Sequence, residues 1–345
     1  MFSTLVGNDT VKLTLKRLIA KNRVPNSLLF AGDDGVGKRQ FALELAKTFV
    51  CVGKTDGGEA CGVCAACSRA SSTTLPKSDD KEAHKRVIFS DHIDVGSVIP
   101  YNRNILVDAI RHLESEANYR PYEAPARFFI VDDAEKMNDA ASNALLKTLE
   151  EPAATTHIFL ITSRPDSLLP TIRSRCQTLR FAPVETGEIE KYLIEQRAFS
   201  PDEARLAARL ARGSIGRAVS INVEKFRIAR DRMLAVLTNA IQTGDVAALL
   251  RIAEEMNDAK NKDAFEDNLD TLQTLIHDVW SVRVGGETAA LVNADLADRL
   301  LDLAATGRSA DFMRWHAEID TIRENLIVNI NRKVAADALF ISMTG

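Results

Sequence analysis

Gly32-Asp33-Asp34-Gly35-Val36-Gly37-Lys38-Arg39 follows a short apolar run, Ser27 to Ala31, and leads into an amphipathic stretch from about Lys38 to Val50. Strand, glycine loop, helix is the context a phosphate-binding loop requires. The glycines let backbone N–H groups converge on a phosphate, and Lys38 would reach the outer oxygens. The loop fits G-x-x-x-x-G-K-[ST] until its last position. Arg39 stands where a Ser or Thr hydroxyl would hold Mg²⁺. A guanidinium has no acceptor and cannot bind a metal ion. Asp33 and Asp34 bring further negative charge to the loop. Gly32, Gly35, Gly37, Lys38 and Arg39 thus mark a degenerate nucleotide site on a P-loop fold, and competent ATP hydrolysis is not expected.

Downstream, Phe128-Phe129-Ile130-Val131-Asp132-Asp133-Ala134-Glu135 reads as an apolar strand ending in acids. Asp132 is placed to hold Mg²⁺ through water. Asp133 falls where a Glu would polarise the attacking water, and it is shorter by one carbon–carbon bond, about 1.5 Å. Catalytic geometry tolerates little of that. The alternative for these acids is a solvated strand end; the loop upstream favours the paired motif.

Between these two halves lie Cys51, Cys61, Cys64 and Cys67, spaced Cys-x₉-Cys-x₂-Cys-x₂-Cys. Four thiolates close a tetrahedral structural Zn²⁺ site and leave no open position for catalysis. Buried free cysteines or an iron–sulfur cluster fit the spacing less well. Cys176 stands apart and reads as a small buried residue.

Apolar periodicity predicts a helix over residues 9–22, a polar loop over 71–85, a helix over 104–117, a strand over 127–131, a helix over 140–151, a strand over 157–162, a short helix or turn over 167–174 and a last strand over 177–181. Strands alternating with helices argue for a parallel sheet with helices on both faces. After Pro183 the pattern is helical to the end, with breaks near Ser200-Pro201, Gly213 to Gly216, Gly244, Gly285-Gly286 and Gly307. The expected domains are 1–182 with the zinc module at about 51–70, then a small helical lid at 183–222, then a helical domain at 223–345. The 345 residues carry a net charge of −4, which argues against a protein that grips DNA alone by its phosphates. No apolar run is long enough to span a bilayer, and the polar start, Met1 to Leu18, is not a signal peptide, so a cytoplasmic location without membrane partners is expected.

Asn143-Ala144-Leu145-Leu146-Lys147-Thr148-Leu149-Glu150-Glu151-Pro152 and Leu169-Pro170-Thr171-Ile172-Arg173-Ser174-Arg175-Cys176 resemble the signatures of bacterial clamp-loader subunits of the AAA+ class. The zinc module after the P-loop helix is shared, in that family, by the gamma/tau ATPases and the delta-prime subunits of DNA polymerase III. Gamma/tau chains keep a Thr after the P-loop lysine and an Asp-Glu pair on the second strand. Arg39 and Asp133 depart from that pattern, so the resemblance is to the delta-prime branch, whose own site is commonly degenerate. It covers about residues 1–220; beyond that only length and helical character agree.

The resemblance implies an AAA+ domain, a lid and a helical collar that serves oligomerisation. It implies an accessory, non-hydrolysing subunit of a polymerase holoenzyme, one wedge of a five-membered ring that places the sliding clamp on primed DNA. The implied partners are gamma/tau, the delta subunit, the clamp, and DNA through the assembly. Arg175 matches the arginine that reaches a neighbour's ATP in trans, a role suited to a guanidinium beside a transferring phosphoryl group. Thr162 and Arg217 match a polar sensor and a lid arginine. Competing readings are a working ATPase of gamma/tau type and a zinc-containing DNA-binding adaptor.

Overall fold

The computed structural model describes residues 2–55, 57–256, 262–288, 291–326 and 330–344, with the side chains of 262–264 excepted. The polypeptide divides into two compact units, Met1–Val219 and Ser220–Gly345.

The first unit runs α1 (Asp9–Ala20), β1 (Ser27–Ala31), α2 (Lys38–Val50), α3 (Ala65–Ser71), β2 (Ile88–Phe89), β3 (Val95–Val98), α4 (Val107–Ala117), β4 (Arg127–Val131), α5 (Asp139–Glu150), β5 (Thr156–Thr162), α6 (Pro170–Arg173), β6 (Gln177–Arg180), α7 (Thr186–Arg197), α8 (Pro201–Leu210) and α9 (Ile215–Ser220). The strands form one sheet in the order β2-β3-β4-β5-β1-β6. Every pairing is parallel except β2 on β3.

Period-two alternation explains why both faces are covered. Leu28, Phe30, Phe128, Ile130, Phe159 and Ile161 point to one face, where they pack with Val11 and Leu15 of α1 and Phe41, Leu45 and Ala46 of α2. Leu29, Ala31, Phe129, Val131, Ile158 and Leu160 point to the other, against Ile110 and Leu113 of α4 and Leu145 and Leu149 of α5. The parallel α/β architecture expected from the sequence is the one observed. The order places the carboxyl ends of β1, β4 and β5 side by side, the edge at which such sheets bind ligands.

Two local expectations differ from the structure, and two strands had none. The helix expected from residue 104 begins at Val107, because Tyr101 and Asn104 pair across a turn and Ile105 bridges to Met137. The helix expected to residue 22 ends at Ala20, and Asn22 then turns with φ 48°. Strands β2 and β3 had no expectation; one is two residues long and the other is Val-Gly-Ser-Val, too short for a period to register.

The second unit comprises α10 (Val223–Gln242), α11 (Val246–Met256), α12 (Lys262–Arg283), α13 (Ala297–Thr306), α14 (Ser309–Leu326) and α15 (Arg332–Ser342). Helix α12 lies at its centre, packed against α10, α13 and α14. Its buried Leu269, Leu272, Leu275, Ile276 and Val279 join Leu237, Leu300, Phe312 and Ile319 in a core of their own. The breaks expected at Gly244, Gly285-Gly286 and Gly307 all fall between helices. No helix among the described residues is long and apolar enough to cross a membrane.

Candidate functional site

The glycine loop connects the end of β1 to α2 as expected. Gly35 has φ 75° and Gly37 has φ 101°, backbone that favours glycine. The loop is closely covered. A Cβ on Gly35 would collide with Ser214 Oγ, and Gly216 N–H donates to Gly35 O at 2.9 Å. A Cβ on Gly32 would meet Phe181 O.

Lys38 is folded back on its own loop. Its Nζ donates to Gly32 O at 2.5 Å and Asp33 O at 2.7 Å. Only 5% of the side chain is exposed. Burial lowers its pKa, while Asp34, Glu135 and Asp132 pull the other way. Carbonyls therefore hold the ammonium that a phosphate would otherwise attract.

Arg39 and Asp132 meet: Nε lies 3.6 Å from Oδ2. Burial raises the Asp132 pKa, the Arg39 guanidinium opposes this, and the Asp133 carboxylate adds to it. Asp133 has φ 49° and an ion pair to Lys136 at 2.7 Å. Its short side chain is thus engaged by a neighbouring cation. Thr162 is fully buried at the end of β5, and its Oγ1 accepts the Arg164 N–H at 3.1 Å. Arg217 lies in α9, exposed, with its N–H bonded to Ser214 Oγ at 3.2 Å.

Sequence reasoning did not single out Glu135. Its Oε1 accepts from Ser163 Oγ at 2.6 Å and Ser163 N at 3.2 Å. Burial works to raise its pKa, but hydrogen bonds led by Ser163 hold it below the usual value. Ser214, which covers the loop, was also missed. Its neighbours in the Gly213-Ser214-Ile215-Gly216-Arg217 turn were the available signal.

The four clustered cysteines come together. Their Sγ atoms all lie within 4.8 Å of one another. Cys51 Sγ is 3.6 Å from Cys61 Sγ and 3.9 Å from Cys64 Sγ. Edges of a ZnS₄ tetrahedron with 2.3 Å bonds are roughly 3.8 Å. Cys61 N–H donates to Cys51 Sγ and Cys64 N–H to Cys61 Sγ, both at 3.3 Å. Backbone donation lowers the Cys64 pKa to about 6, whereas burial pushes Cys67 up to about 12. These residues could hold a metal ion. Cys176 is buried away from them, and burial raises its pKa to about 12.

Arg175 sits just beyond α6, one third exposed, 2.5 Å from Glu150 Oε1. It lines a cleft with Asn26, Ser27 and Gln177, at the starts of β1 and β6.

Residues 7–185 match the family described as DNA polymerase III, delta subunit. The chain is 34% identical over 270 residues to DNA polymerase III subunit delta' of Bacillus subtilis (strain 168), covering 78% of this chain and 76% of that one. It is 29% identical over 313 residues to the same-named subunit of Escherichia coli (strain K12), covering 90% and 86%. DNA polymerase III subunit tau of Bacillus subtilis (strain 168) is 27% identical over 279 residues, but this chain covers only 46% of it. With its P-loop fold and these relatives, the chain belongs to the DNA polymerase III delta-prime family.

Proposed function

We propose that this chain is the non-hydrolysing AAA+ wedge of a clamp loader, which lends an arginine to a neighbour's ATP and turns over none of its own. The observation that carries this reading is the Arg39–Asp132 ion pair. A guanidinium paired with the carboxylate that would serve Mg²⁺ supports a site without hydrolysis. Lys38 bound to its own carbonyls and Asp133 bound to Lys136 support it. Gly32, Gly35, Gly37, Thr162 and Arg217 serve as scaffold of the degenerate site.

The thiol cluster fits structural zinc: four soft ligands, near-tetrahedral spacing and N–H donors that favour thiolates. Zinc would supply cross-linking and no chemistry. Arg175 would meet the γ-phosphate of an adjoining gamma/tau-type ATPase, where a planar fork offsets charge on the transferring group. The delta subunit, the sliding clamp and primed DNA would be met through the assembly, with 223–345 as the collar and 183–222 as the lid.

The test compares the chain alone with the reassembled loader. The chain alone should hydrolyse essentially no ATP. In the loader, Arg175→Ala should slow the site it serves by roughly 10³–10⁵, and Arg175→Lys should rescue poorly. Normal turnover and clamp loading with Arg175→Ala would overturn the trans role.

A further inference from the structure

Arg175 is held from two sides. One terminal nitrogen pairs with Glu150 at 2.5 Å, and the other donates to Thr171 O at 2.9 Å. Both charged side chains stay partly open to solvent, 33% for Arg175 and 47% for Glu150. They border an open cleft with Asn26, Ser27 and Gln177.

Glu150 is the last residue of α5. A carboxylate there faces the negative end of the helix dipole, where a cation would be favoured. Helix stability thus gives no reason for an acid at this place, and the contact with Arg175 does. A guanidinium has five N–H donors. Glu150 and Thr171 engage the two terminal nitrogens without exhausting them, so the fork keeps donors for a further oxyanion. A long side chain without such a hold would sample many rotamers, and each would have to be lost when a phosphate arrived.

The geometry points to Glu150 as a positioning residue for Arg175: it fixes the guanidinium in one place before a neighbour's phosphate reaches it. This rests on the trans reading of Arg175 given above. Glu150 touches no substrate. It acts by pre-ordering the group that does, and it keeps that cation matched while the chain is unassembled.

The experiment uses the reassembled loader with the other ATP sites silenced by substitution of their loop lysines. The kcat and KM for ATP are measured with clamp and primed DNA. Folding and assembly of each variant are checked by melting and size exclusion. Glu150→Ala should lower kcat by about 10- to 100-fold, the scale of a misplaced catalytic group, and leave KM unchanged. Glu150→Gln keeps length and an acceptor oxygen, so it should recover most of the loss. In an Arg175→Ala background, Glu150→Ala should add nothing, because the two act as one unit.

Wild-type kcat in Glu150→Ala, with Arg175→Ala still slow, would overturn the positioning role and leave the trans reading standing. No effect from either substitution would overturn both. An equal loss from Glu150→Ala with and without Arg175 would assign its effect to the fold and also overturn the proposal.

Discussion

At the scale of single residues, the groups that a nucleotide site would use are engaged within the chain in several ways. Arg39 pairs with Asp132, Asp133 pairs with Lys136, and Lys38 is bonded to loop carbonyls. Repairing one fault leaves the others. Arg39→Thr alone should therefore keep ATP turnover at background, measured by phosphate release from the isolated chain. Turnover near that of a working ATPase from this one change would show the argument from geometry to be wrong. The Arg39 and Asp133 substitutions were legible because each breaks a pattern with a known chemical requirement. The cover of Ser214 on Gly35 was not legible. It joins residues far apart in sequence, and the glycines around Ser214 mark a close approach without naming its partner.

At the scale of elements, the cysteine segment does more than gather four thiols. Glu59, nearly buried, accepts the Phe2 N–H at 2.9 Å and pairs with Lys16 of α1 at 2.8 Å. Arg69 of α3 grips Glu123 with both terminal nitrogens, at 2.9 and 2.8 Å. The insertion thus ties the start of the chain to the approach of β4. Cys64→Ala, or removal of zinc by a chelator, should open segment 51–70 to protease before the sheet is cut. Limited proteolysis with mapped fragments checks this; first cleavage elsewhere would count against it. The cysteines were readable from spacing alone, whereas Glu59 carried no signal, since an isolated acid usually solvates a surface.

Strand β5 supplies a pH prediction. His157 is stacked on Phe128 with ring centroids 5.1 Å apart, and a ring nitrogen lies 3.0 Å from Pro25 O. Burial lowers its pKa below the ordinary histidine value of about 6.5. Below that value the unfolded chain takes up a proton that the folded chain resists. Stability should therefore fall as pH drops below about 6.5, by at most about 1.4 kcal/mol per pH unit from this group. His157→Phe should melt less steeply with acid while losing some stability at neutral pH. Melting curves at pH 7 and pH 5 provide the check, and an unchanged slope would refute the assignment.

At the scale of the whole molecule, α10–α15 enclose an apolar core separate from the two that flank the sheet. A fragment of residues 220–345 should accordingly be helical and melt cooperatively by circular dichroism. A broad, non-cooperative melt would show that it needs the first unit. The sheet was legible because buried parallel strands are written as continuous apolar runs. Its order was not, because pairing across the sheet leaves no local mark. That order also has a temporal side. Ser27–Ala31 pairs with Ile158–Thr162 on one edge and Gln177–Arg180 on the other, with no strand nearer in the chain to pair with it. About 130 residues must follow β1 out of the ribosome before its first partner exists. At synthesis rates of roughly 5–20 residues per second, that wait lasts on the order of 10 seconds. During it, Leu28-Leu29-Phe30 is an unpaired sticky ribbon, so the yield of soluble protein in the cell should depend on translation speed and chaperone supply more than the finished fold would suggest.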